Sequence, residues 1–278
     1  MLNAKHIFVA ACAVAPGLAA SAPILFSASG ANPASIQATV TNFQNALGNP
    51  NNGNAAGPLA GGRREINWDG GSPAITDTAP GGTPFNVFLN TRGASFTTPG
   101  TGFVQAPPSG GSGGGLAAVF SNPSYGTIFT TFSPSRLFAV SGSNITDADF
   151  FVPGTNGGTP ALIRGFGAVF ADVDLADTTT LEFFDAFGVS LGKFSALPAN
   201  NGLSFLGVAF SEGAVIDRVR ITTGNAALGP NDGGGVDVVA MDDFLFGEPQ
   251  AAPEPSTLAL LGLGLGGLLF GYRRKYKR

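Results

Sequence analysis

Ala161-Leu162-Ile163-Arg164-Gly165-Phe166-Gly167-Ala168-Val169-Phe170-Ala171-Asp172-Val173 is apolar along most of its length and runs into three acids, Asp172, Asp174 and Asp177. No 3.6-residue period runs through it, and its larger side chains are aromatic or β-branched, so it reads as a strand. Similar short runs flank it. Those before it lie near residues 85–89, 116–120, 127–132, 136–140 and 145–152. Those after it lie near 179–185, 189–194, 203–210, 216–222 and 236–246. Gly, Pro, Asn and Asp separate them. This pattern predicts an all-β domain over residues 63–247, an antiparallel β-sandwich of jelly-roll-like form.

Phenylalanine is the expected core material, with 24 Phe against one Trp and three Tyr. Phe fills the dry space between sheets without a polar tip that needs a partner. Phe166, Phe170, Phe183, Phe187, Phe205, Phe210, Phe244 and Phe246 are the expected core residues. One soluble helix is expected within residues 31–48, because Ile36, Val40, Phe43 and Leu47 share a face and Gly48 with Pro50 ends it. Residues 49–62 and 107–115 are rich in Gly, Asn, Pro or Ser and read as loops. Residues 23–62 are thus expected to be a short helix followed by a linker.

The N-terminus has Lys5, an apolar run from residue 7 to 20, and the small-residue site Ala20-Ser21-Ala22. Residues 1–22 therefore read as a secretory signal peptide, with Pro23 displacing cleavage a few residues to either side. The only Cys (Cys12) and the only His (His6) lie inside it. Once they are removed, Ser–His and Cys–His nucleophilic pairs and zinc sites built on Cys or His are excluded. No catalytic residue is assigned and the chain is not expected to be an enzyme. Residues 23–252 hold 17 Asp/Glu and 8 Lys/Arg, a net of 8 − 17 = −9. That balance repels phosphates and excludes nucleic acid as a partner.

At the other end, Pro253-Glu254-Pro255 lies in a polar segment, residues 248–257, expected to be a linker. An apolar run over residues 258–271 follows, then Arg273, Arg274, Lys275, Lys277 and Arg278. The run reads as a transmembrane helix with Gly262, Gly266, Gly267 and Gly271 spaced for close helix packing. Residues 272–278 form a basic end held on the cytoplasmic side. A helix over residues 258–271 spans only about 21 Å, against a hydrocarbon core of ~30 Å.

These three elements, in this order, resemble the PEP-CTERM sorting signal of Gram-negative bacteria. The resemblance covers the last tenth of the chain. It implies recognition by an exosortase-type processing enzyme and removal of the tail. It also implies export, an inner-membrane anchor before processing, and then a place at the cell surface or in the extracellular matrix. A structural or adhesive role follows from that destination, with extracellular polysaccharide as the expected partner. Elsewhere, residues 62–70 and 165–174 resemble segments of uncharacterised exported bacterial proteins, which carry no activity over.

Two constellations could carry chemistry. Asp172, Asp174 and Asp177 could hold a structural calcium, since alternation puts the first two on one side of a strand. Asp232, Asp237, Asp242, Asp243 and the amide oxygen of Asn231 lie near the last strand and could add to it. Trp68, Asn67 and Asp69 could contact a sugar, the indole by stacking and its neighbours by hydrogen bonding. The alternative for Trp68 is an anchor of the first strand. A polysaccharide-binding module is thus the second function class. A carboxylate-based glycosidase is the third, because no carboxylate pair is fixed at catalytic separation.

Overall fold

The computed structural model describes residues 22–70, 82–111 and 113–252. The expected signal peptide before residue 22 and everything after Ala252 lie outside the described residues. The described chain is mostly β. In order, it forms β1 (Pro23–Gly30), α1 (Pro33–Leu47), β2 (Arg63–Ile66), α2 (Leu89–Arg92), β3 (Ala94–Thr97), β4 (Gly102–Ala106), α3 (Gly115–Val119), α4 (Tyr125–Ile128), β5 (Leu137–Ser141) and β6 (Ile145–Phe150). Then come β7 (Ala161–Leu162), β8 (Gly165–Val173), β9 (Thr180–Phe184), β10 (Ser190–Ser195), β11 (Ala199–Phe210), β12 (Arg218–Thr222), β13 (Ala240–Gly247) and β14 (Gln250–Ala251).

Two antiparallel sheets result, consistent with a β-sandwich. The larger has 7 strands in the order β1-β11-β8-β13-β5-β4, with β2 also paired to β13. The smaller has 5 strands in the order β10-β9-β12-β6-β3. One core lies between the sheets and contains Phe166, Phe170, Phe183, Phe210, Phe244 and Phe246. A second core lies on the outer face of the larger sheet. There Val169, Ala171 and Phe205 meet α1, α3 and α4 through Ile36, Phe43, Leu116 and Tyr125. Strand β8 is therefore buried at every position. Burial on both faces is why its sequence is an unbroken apolar run rather than an alternation.

The smaller sheet alternates, because only one of its faces is covered: β6 and β12 bury every second residue. On the open face Asp147 lies opposite Arg220, Arg220 opposite Glu182, and Glu182 opposite Lys193. Opposite charges across neighbouring strands stabilise each register step by a fraction of a kcal/mol, ~0.2–1.

Helix α1 forms as its spacing predicts. Asn32 caps it by accepting from Ser35 N–H, Pro33 sits in the first turn, and Ile36, Val40, Phe43 and Leu47 are its buried face. Phe43 lies against Gly167 and Gly207. A Cβ on Gly167 would stand 2.7 Å from Phe43 Cε1, and one on Gly207 would stand 2.9 Å from Cδ2. The glycines in β8 and β11 thus make the groove that the helix fills.

Several elements differ from expectation. Residues 23–30 precede the helix as a strand, pairing residue by residue with β11. Residues 49–62 are tied to the sandwich by Asn51 bridging Arg63 and by Asn52 N–H donating to Arg63 O. The run expected as a strand near 116–120 is the short helix α3, and the run near 127–132 overlaps only the end of α4 and is otherwise irregular. The run near 85–89 gives only a bridge from Phe85 to Phe96, then α2. Short apolar runs do not distinguish strand from buried helix by period, and covering the larger sheet requires helical segments here. Phe187 is 82% exposed, not in the core. It sits at the β9–β10 turn, where Asp185 Oδ1 accepts from both Phe187 N–H and Val189 N–H.

Candidate functional site

Strand β8 delivers Asp172 and Asp174 to the end of the larger sheet. Asp172 takes a left-handed backbone conformation, φ 68°, and its Oδ1 accepts from Asn201 N–H at 2.7 Å. Carboxylate oxygens of Asp172, Asp174 and Asp232 all lie within 4.8 Å of one another. Asp177 is not in this group; Asp232, from the loop before β13, takes the third place. Asp237 caps the adjoining turn instead, accepting from Asp174 N–H, Leu175 N–H and the Thr178 hydroxyl. Asp174 Oδ1 and Asp232 Oδ1 are buried without a hydrogen-bond donor. Burial pushes Asp172 up to about 7. The Asn201 N–H opposes that rise, and the charges of Asp174, Asp232 and Asp237 add to it. Asp174 is raised too, by burial first and then by Asp237 and Asp232. A hard cation would supply the positive charge these oxygens lack.

The second constellation is rearranged by packing. Trp68 is completely buried, stacked on Phe138 at 3.7 Å with Phe244 and Phe88 edge-on to it. Its Nε1–H donates to Asp242 O at 3.0 Å. Neither indole face is open to a sugar, so Trp68 anchors the exit of β2 in the core. Asn67 remains exposed, while Asp69 is drawn inward, accepting from Arg136 N–H at 2.9 Å and from the Ser133 hydroxyl at 3.1 Å.

Ser133 is the centre of a carboxylate knot that the sequence pattern does not signal. Its Oγ is 2.6 Å from Asp243 Oδ1, 3.4 Å from Asp242 Oδ1 and 3.4 Å from Asn67 O. A hydroxyl has one proton to donate, so these acceptors cannot all be satisfied by it. Asp242 and Asp243 face this point because β13 is irregular there: it pairs β8 through Met241, then resumes at Phe244 with a shifted register. Burial holds Asp242 well above the ordinary carboxylate range, reinforced by the charge of Asp243. Asp243 is pushed up to about 6, again mainly by burial, with the Ser133 hydrogen bond opposing.

The third site is where the chain leaves the domain. Glu248 is buried and clamped: Oε2 receives Arg64 Nε at 2.6 Å and Asn52 Nδ2 at 2.8 Å, and Oε1 receives Arg64 Nη2 at 2.7 Å and Leu59 N–H at 3.1 Å. Arg64 Nη1 also donates to Gly53 O and Ala55 O, each at 2.7 Å. Residues 250–251 form β14 against β7, and Ala252 N–H donates to Pro160 O at 3.0 Å. The segment expected to be a linker from residue 248 is therefore structured through Ala252, because Glu248 neutralises a buried arginine and β14 continues the strand pairing. Beside it a cavity of ≈ 310 Å³ is lined by Arg164, Glu248, Gln250 and neighbouring glycines.

Residues 251–275 match the family model described as the PEP-CTERM protein-sorting motif. The chain carries an exosortase sorting signal. Pro253, Glu254 and Pro255, the four glycines of the apolar run, and Arg273, Arg274 and Lys275 fall inside the match; Lys277 and Arg278 follow it. The PEP-CTERM motif marks an exosortase substrate, so the protein is exported, and anchored or processed at the cell envelope. No curated protein and no solved structure shows a significant match to the chain. Among the described residues no helix is long and apolar enough to cross a membrane, and the expected span over 258–271 lies outside them.

Proposed function

We propose that the sandwich is a structural or adhesive component of the cell surface or the extracellular polysaccharide layer, released there from its PEP-CTERM tail. One observation carries this reading: Ala251 pairs in β14 and Ala252 N–H bonds to Pro160 O, and the sorting motif starts at Ala251. Address and domain are joined without a spacer. The strand order supports the finer architecture. Running β5-β13-β8-β11 in one sheet and β6-β12-β9-β10 in the other, the chain crosses between sheets in the manner of a jelly roll. Structural calcium belongs to the same reading, held by Asp172, Asp174 and Asp232, because two of their oxygens are buried without donors. A carboxylate-based glycosidase ranks lower. Asp242 is completely buried, and its oxygens accept from Phe132 N–H and Asp243 N–H.

The test is where the protein resides. Washed cells should yield it in the surface and matrix fractions when the exosortase is active. Recovery from the inner membrane alone, with the exosortase active, would contradict the proposal.

A further inference from the structure

The cavity at the chain exit contains an uncompensated cation. Seven arginines lie among the described residues, and six of them make side-chain hydrogen bonds. Arg63 pairs with Glu65, Arg64 with Glu248, and Arg218 and Arg220 with Asp147. Arg92 and Arg136 donate to backbone carbonyls. Arg164 is the exception. Its Nε is buried with no hydrogen-bond partner among the described residues, as is that of Arg92, but unlike Arg92 it donates from no other nitrogen. A buried donor left unpaired costs free energy unless something occupies it.

The surroundings of Arg164 are not those of a loose surface side chain. Its backbone is fixed, since Arg164 O accepts from Phe210 N–H at 2.8 Å. Its aliphatic stem lies against Gly247, where an added Cβ would come within 2.6 Å of Arg164 Cγ. The one carboxylate lining the cavity belongs to Glu248, and all its charge is taken by Arg64 on the far side. The cavity thus has a net positive wall inside a strongly acidic domain. Gln250 spends its amide N–H on Leu59 O at 2.8 Å, which leaves its carbonyl oxygen free to accept from a hydroxyl. Leu47 and Ala214 supply apolar wall, and a side chain added at Gly61 would meet nothing within 4 Å.

The geometry points to this cavity as a binding site for a uronic-acid sugar, its carboxylate on Arg164, a ring hydroxyl on Gln250 and its apolar ring face on Leu47 and Ala214. A planar guanidinium matches a carboxylate with two parallel hydrogen bonds. A volume of ≈ 310 Å³ is at the small end of ligand pockets, ~300–1,000 Å³, and suits one sugar ring. This inference rests on the surface-matrix reading, for which it supplies a point of contact with acidic polysaccharide.

Binding is read by calorimetry on the full chain in detergent micelles, titrated with D-glucuronate, D-glucose and acetate in parallel. Glucuronate should bind at least tenfold more tightly than either of the others. Arg164→Met should weaken it at least tenfold, and Gly61→Leu, which fills the cavity and leaves the charge, should do the same. Because Arg164 has no side-chain partner among the described residues, Arg164→Met should keep its melting temperature. If it instead fails to fold, Gly61→Leu alone decides. Equal binding of glucose, or glucuronate affinity unchanged in the decisive variant, overturns the inference. A chain that binds no glucuronate yet stays in the matrix fraction refutes this site and leaves the surface role standing.

Discussion

Glu248→Gln is the most informative single change to the fold. It keeps the size of the side chain and removes a charge that Arg64 needs, both side chains being almost fully buried at 0% and 2% exposure. Glutamine can present one oxygen, to Arg64 Nη2 and Leu59 N–H. Its NH2 then confronts Arg64 Nε and Asn52 Nδ2, so the Arg64 Nε–H loses its acceptor and Asn52 keeps only Gly61 O. Breaking a buried pair in this way costs about 3–5 kcal/mol, most of it the uncompensated charge. At roughly 2–4 °C per kcal/mol for a domain of this size, the expected drop in Tm is ~6–20 °C, measured by calorimetry or circular dichroism. The double variant Arg64→Met/Glu248→Met should recover part of that loss, because it strands no charge. Recovery stays partial, since Gly53 O and Ala55 O lose their donor. A Glu248→Gln protein melting within about 2 °C of the parent would refute the argument that this pair fastens residues 49–62 and the last strands together.

Two further outcomes follow from the carboxylate clusters. Asp243 is protonated more readily in the fold, at about 6, than in the unfolded chain near 3.8, and Asp242 is shifted the same way. Stability from this pair is therefore full below about pH 4 and falls as pH rises through 6, by up to ~3 kcal/mol for a shift of that size. Asp149, raised by burial to about 6, adds in the same direction. Urea melts at pH 4.5 and 7.5 should show the higher midpoint at 4.5, with a smaller gap in Asp243→Asn; an equal gap would exclude the knot as its source. For the Asp172 cluster, calcium at 100 times its Kd should stabilise by about 2.7 kcal/mol, raising Tm by roughly 5–10 °C over EGTA. Asp172→Asn should abolish that difference, and an identical Tm in calcium and EGTA would remove the ion from the account.

Much of the fold was legible in local pattern. The face of α1, the apolar run of β8 and the aromatic core follow from spacing and from what Phe needs. Elements whose partners lie far along the chain were not. Strand β1 is recognisable only beside the free edge of β11, and α3 and α4 only as covers for the outer face of the larger sheet. The candidate sites divide in the same way. Asp172 and Asp174 stay together at the end of β8, with Asp172 left-handed and Asp174 just past the strand, but their third partner, Asp232, comes from another loop. Trp68 has the composition of a sugar contact and the surroundings of a core residue. Ser133 and Arg164 carried no sequence signal, because what singles each out is an imbalance of donors and acceptors that exists only after folding. The PEP-CTERM motif was legible because it is read as a linear address.

The chain is an exosortase substrate whose described strand pairing runs up to the start of the sorting address. The intact mass of the protein recovered from cells with and without active exosortase decides this. Loss of the C-terminal segment is expected only when the enzyme is active, with residues through Ala252 retained. A tail intact to Arg278 under both conditions, or a cut inside the buried strand ending at Gly247, would contradict it.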